Sequence, residues 1–288
     1  MAKTFEHYHL SLIERDQADL LVPPIERDEF IRAAFAEGFS FRHMGNSIHW
    51  VPSIDAAPFI VGNVTRQKVR TQHRAPEEGA DEFEAIEWQG SLVVIDPTYK
   101  PDGQKVAFEI DPAVGKPAAL LDSILSHLNE RPGVRYTIVA KALFDQETFW
   151  SFAQRHGHRL EYISFKFVVP NMFFGATTSI DQGLRQIGDD TNAEGVEVRL
   201  ESDDGVQTES QTVTDAMNYA EEGGASVTAK AMNGDRYSSQ RRRKTSKVID
   251  VIVSNRRSLM VLLNKALGRD EDNSMVSPDS GDDNPSGD

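Results

Sequence analysis

No cysteine occurs anywhere in the 288 residues. Disulfides, thiolate-held zinc and thiol nucleophiles are excluded together, and a reducing, cytoplasmic setting is expected. No apolar run approaches the ~20 residues that a membrane helix needs. The opening MAKTFEHYHLSL lacks the charged-then-apolar order of a signal peptide. A phosphate-cradling glycine loop, a Gly-X-Ser-X-Gly elbow and a dinucleotide fingerprint are also missing; Gly183 and Gly188 stand alone. Positive charge is scarce, with 31 Lys and Arg against 45 Asp and Glu and a formal net charge of -14. Contact with a polyanion must therefore come from local patches, because phosphate binding rests on Lys and Arg.

Seven of the fourteen excess negatives fall in the final stretch, DEDNSMVSPDSGDDNPSGD, which has no Lys or Arg. That composition predicts a disordered acidic tail over 269–288, since it offers too little apolar surface to offset its ordering entropy. The tail reads as a solubilising segment, or as a DNA mimic competing for the chain's own basic patch.

The rest alternates strand and helix patterns. TFEHYHLSLI reads as a half-buried strand, Ile25–Glu37 as a helix, and FSFRHMGNSIHWVP as a hairpin turning at Gly45-Asn46. FIVGNVTRQKVRTQ is a strand that grows basic, followed by a loop excursion in HRAPEEGADEFEAIEWQG. SLVVIDPTYK and KVAFEIDP form a hairpin through Pro101-Asp102-Gly103, and PAALLDSILSHLN has helical register. Further along come RYTIVAKAL (strand), DQETFWSFAQRHG (helix, with Asp145 as its cap) and HRLEYISFKFVVPN (strand). A short helix around Ile180–Ile187 follows, then VEVRLES (strand), TDAMNYAEEGG (helix), ASVTAKAMNGDRYSSQ and KVIDVIVS (strands). The fold class expected is α+β, with mixed, mainly antiparallel sheets and helices packed on one face. Its domains are 1–171, 172–268 and the acidic tail 269–288.

Two His-X-His pairs, His7 with His9 and His156 with His158, place imidazoles two residues apart, where a strand would aim both the same way. Neither pair brings a further ligand with it, and structural histidine is the competing reading. His9-Leu-Ser11 has the form of half a two-histidine phosphoesterase site, but no other histidine is followed two places later by Ser or Thr. Asp96, Glu109 and Asp111, with Lys141, would suit a Mg²⁺-dependent nuclease if adjoining strands brought them together. An Asp-Pro that merely ends a strand is the alternative. None of this identifies an enzyme, and neither metal nor cofactor is expected.

The basic segments carry the functional reading. Arg66, Lys68 and Arg70 alternate onto one strand face, with Arg74 beyond them, and Arg241, Arg242, Arg243, Lys244 and Lys247 form a second cluster. Arg256 and Arg257 form a third. Guanidinium groups stay charged and donate bidentately to phosphate, and interleaved Gln, Ser and Thr add further donors. The alternative is that these cations guard strand ends against edge pairing.

FIVGNVTRQKVRTQ, the hairpin to KVAFEIDP, the helix PAALLDSILSHL, the strand ending SFKFVVPN and the late ASVTAKAMNGDRYSSQ resemble a family of uncharacterised bacterial proteins. More distantly, their order is similar to that of the phage exclusion protein RexA and of KwaB from the Kiwa antiphage system. The resemblance implies sequence-independent DNA binding by a non-enzymatic component of phage defence or exclusion. It further implies a protein partner of the kind found beside a membrane, and a homo-oligomer such as a dimer. A protein-interaction subunit of a defence complex and the Mg²⁺-dependent nuclease stand as the alternatives.

Overall fold

The computed structural model describes residues 2–15, 25–53, 56–98, 104–168, 179–191, 193, 195–221, 223–248 and 256–269. It is an α+β protein in which every strand pairing is antiparallel.

The first sheet holds β1 (Lys3–Glu14), β2 (Phe39–His43), β3 (Asn46–Pro52), β4 (Ile60–His73), β5 (Glu82–Ile95), β6 (Gln104–Glu109), β7 (Tyr136–Ala142) and, from far along the chain, β12 (Thr245–Val248). Its order is β12-β1-β6-β5-β4-β3-β2, with β7 also paired to β1, and it curls into a half-barrel. On its inner face α1 (Arg27–Phe35) and α2 (Pro117–Asn129) pack against Tyr8, Leu10, Trp50, Val64, Ile95 and Phe108. Leu120, Leu121, Ile124, Leu125 and Leu128 recur at helical spacing and are all buried, so hydrophobic burial rather than a side-chain cap holds α2.

The outer face is partly covered by α6 (Arg256–Ala266), whose Leu263 and Ala266 meet Phe5, Val61, Val94 and Ala107. The sequence reading does not anticipate α6, although Leu259, Met260, Leu262, Leu263, Ala266 and Leu267 have the spacing of one helix face.

Between β7 and β12 the chain builds the second sheet, β11-β10-β8-β9, from β8 (Arg159–Val168), β9 (Gly195–Gln207), β10 (Ala225–Ala231) and β11 (Arg236–Ser238). With it go α3 (Glu147–Arg155), α4 (Ser179–Thr191) and α5 (Gln211–Glu221), around a core that includes Phe149, Phe165, Met217 and Val227. Thus β8, expected with the N-terminal domain, pairs with β9 and β10. The chain crosses between sheets twice, at 143–145 and 242–244. These crossings lie side by side: Phe144 bridges Arg243, Lys244 donates to the Leu143 carbonyl and Asp145 donates to that of Arg242.

Two local expectations are corrected. The excursion expected after Gln72 is mostly strand: β5 starts at Glu82 and pairs residue for residue with β4 back to Ile60. Its acids suggest a loop, but Phe83, Ile86 and Trp88 supply β propensity and the ladder satisfies the backbone. The first hairpin turns on Met44-Gly45, one place earlier than expected; both residues have positive φ, the geometry that matches strand twist. The Pro101–Gly103 turn, residues 249–254 of the last expected strand and the tail beyond Arg269 lie outside the described residues.

Candidate nucleic-acid interface

Within the second basic cluster neighbours have different fates. A 3-10 turn at Ser239–Arg241 brings the chain out of β11, and Arg243 then reaches β1. Its Nη1 donates to Glu6 Oε2 at 2.6 Å and to Tyr8 Oη at 3.2 Å, while the Tyr8 hydroxyl donates to the same carboxylate at 2.5 Å. Burial and the Glu6 carboxylate push the Tyr8 phenol far above its ordinary range. Lys244 pairs with Glu221 at 3.3 Å. These two cations hold the crossing in place.

Arg241 and Arg242 remain exposed and line an open cleft of about 740 Å³ between α3 and β11. Arg155 and Arg236 line it too, which sequence reasoning missed because they stand alone in their segments. Among the described residues none of these four guanidinium groups has a carboxylate within salt-bridge distance. Three acids share the wall. Asp145 Oδ1 accepts from the Glu147 amide at the start of α3, Asp235 lies 3.5 Å from His156, and Glu147 completes the set. The Thr148 and Tyr237 hydroxyls hydrogen bond to each other at 2.9 Å along one side. Lys247 stands exposed on β12, opposite Thr4.

The first cluster lies elsewhere, since β1, β6 and β5 separate β12 from β4. Arg66, Lys68 and Arg70 share the face that carries Val64 lower down, and β5 answers them with acid. Lys68 is opposite Glu87, Arg70 pairs with Glu87 at 3.3 Å, and the Arg74 guanidinium sits 5.8 Å from the Phe83 ring centre. From Arg66 to Gln89 four Lys and Arg meet six Asp and Glu, so this segment carries no net positive charge.

The residues considered for metal are dispersed. Asp96 is buried and pairs with Arg269 at 2.6 Å; burial pushes its carboxyl up, but Arg269 and the Thr98 amide outweigh that and hold it low. Glu109 binds Lys3 and the Leu92 amide, and Asp111 Oδ1 accepts from Ala113. Glu109, at the end of β6, meets the Leu92 amide, and Asp96 lies four residues beyond Leu92, so the two acids are offset by roughly 13 Å. His7 and His9 do share a face, but His7 is buried against Gly268 and His9 against Gly223. Burial above all, with Lys244 and Lys105 nearby, lowers His7 to about 4, so it is neutral. His158 hydrogen bonds Thr208 while His156 faces Asp235. Among the described residues no group of three His, Asp or Glu side chains is placed to hold a metal ion.

No protein-family model, curated protein or solved structure matches this chain.

Proposed function

We propose that this chain binds the phosphodiester backbone of DNA without reading its sequence, using the cleft between α3 and β11. One observation carries the reading: Arg241 and Arg242, unlike Arg243 and Lys244, have no carboxylate partner among the described residues and open into a cleft with two more arginines. Guanidinium groups held by a fixed turn lose little freedom on binding phosphate, and four together offset the three acids around them. The lining is polar and its aromatic members Phe152 and Tyr237 are buried, which favours contact with backbone over stacking on bases. Lys247, and Lys68 on the distant strand, are further phosphate contacts in this reading. Phage defence or exclusion is the setting that the resemblance suggests.

The test is fluorescence anisotropy of a labelled duplex across a salt series. Affinity is expected to fall linearly in log salt, and Arg241→Ala with Arg242→Ala should make the slope shallower by about 1.8, two phosphate contacts' worth. Absence of binding at low salt, or an unchanged slope in the double variant, would reject the proposal.

A further inference from the structure

The two walls of the α3–β11 cleft run in opposite directions, and three contacts fix their alignment. Asp235, just before β11, lies 3.5 Å from His156 at the C-terminal end of α3. The Tyr237 and Thr148 hydroxyls meet at 2.9 Å in the first turn of the helix. The Asp145 amide, just ahead of the helix, donates to the Arg242 carbonyl at 3.2 Å. Chain order along one wall is therefore reversed along the other.

That alignment sorts the four arginines into two pairs. Arg155 and Arg236 adjoin the His156–Asp235 contact at one end, while Arg241 and Arg242 adjoin Asp145 at the other. Arg155 Nε is held by the Ser151 carbonyl at 3.3 Å, and Ser151 itself, exposed on the cleft wall, stands between the pairs. The helix has nine residues, so at ~1.5 Å per residue the pairs are about 13 Å apart along it. Spread over that length, the cleft's volume of about 740 Å³ gives a channel about 8 Å across. A whole duplex cannot lie in such a channel, since its major groove alone is ~12 Å wide, and it would meet only the arginines at the rim. One strand can.

From this we infer that the cleft takes a single DNA strand, laid along α3 over about four phosphates with an arginine pair at each end; the inference rests on the DNA reading above. A stacked strand carries one phosphate per ~3.4 Å of its axis, so about 13 Å spans roughly four. The two pairs contact the outer phosphates, and the Ser151 hydroxyl donates to one between them. Phe152 and Tyr237, the aromatic side chains of the lining, are buried, so the bases find no stacking platform in the cleft and turn outward, which leaves the sequence unread.

Fluorescence anisotropy of the full chain at low salt tests it, using end-labelled oligothymidylates of graded length beside a labelled duplex, with far-UV circular dichroism to confirm folding of each variant. Affinity is expected to climb up to about four nucleotides and then to level off, apart from the statistical gain of extra binding positions. A long single strand should bind at least tenfold more tightly than the duplex. Arg155→Ala with Arg236→Ala, and Arg241→Ala with Arg242→Ala, should each bring the plateau down to about two nucleotides and flatten the single-strand salt slope by about 1.4. Arg256→Ala with Arg257→Ala, on α6, should do neither. Equal affinity for strand and duplex, a plateau well beyond four nucleotides, or a plateau that either cleft pair leaves in place would overturn this inference without touching the DNA reading, which the duplex salt slope decides. Binding of neither form at low salt would overturn both.

Discussion

Removing Arg243 would leave Glu6, a carboxylate whose side chain is only 16% exposed, without its guanidinium. An unpaired buried charge costs about 3 kcal/mol, whereas deletion of a surface cation usually changes stability by less than about 0.5. Arg243→Ala should therefore lower the urea unfolding free energy by about 3 kcal/mol and Arg242→Ala by almost nothing. The sequence cannot separate them, because the partner of Arg243 lies 237 residues away. His7 offers a second residue-scale test. The unfolded chain takes up a proton near pH 6.5 that the folded chain refuses until about 4. Its contribution is thus complete above pH 6.5 and declines as the pH falls toward 4. By pH 5 the loss should reach about 2 kcal/mol relative to pH 7.5, and His7→Gln should flatten that part of the profile.

Elements differ in how openly they announce themselves. Leucine periodicity predicts α2, and alternation predicts the lower parts of β1 and β4, because one face of each is buried. The upper half of β5 is concealed: neither of its faces is buried, so acids alternate with exposed apolar residues and the composition resembles a loop. The candidate cleft is half legible. Its 241–242 arginines stand in an obvious run, while Arg155 and Arg236 come from a helix and a strand that only the second sheet brings together. Where β3 and β4 meet, Gly62 leaves room for the Trp50 ring; an added Cβ would overlap that ring and stand 2.8 Å from the Val51 carbonyl. Gly62→Ala should cost 1–3 kcal/mol or more, seen as a lowered thermal midpoint, because Trp50 is fully buried and has nowhere to move.

Over the whole molecule, the two sheets are tied by paired crossings rather than by a single linker. The Leu143 amide donates to His7, the Lys244 amide donates to Leu143, and Arg243 is pinned from the side by Glu6. Amides of Leu143, Lys244 and Asp145 should therefore be protected together in hydrogen exchange, and Arg243→Ala should speed all three at once. Independent rates would mean that the crossings open separately. Among the described residues no helix is long and apolar enough to cross a membrane.

The same paired crossings have an architectural meaning. Leu143 O and Lys244 N are 2.8 Å apart, so everything from Phe144 to Arg243 leaves the first sheet and returns to it at one point. The second sheet is thus inserted into a surface loop of a host whose strands on either side already meet. Joining residue 143 to residue 244 through a few glycines should excise the guest and leave β12 in register on β1, at the cost of the Arg243–Glu6 pair. The excised piece, with termini as close together, is a cassette that another scaffold could carry.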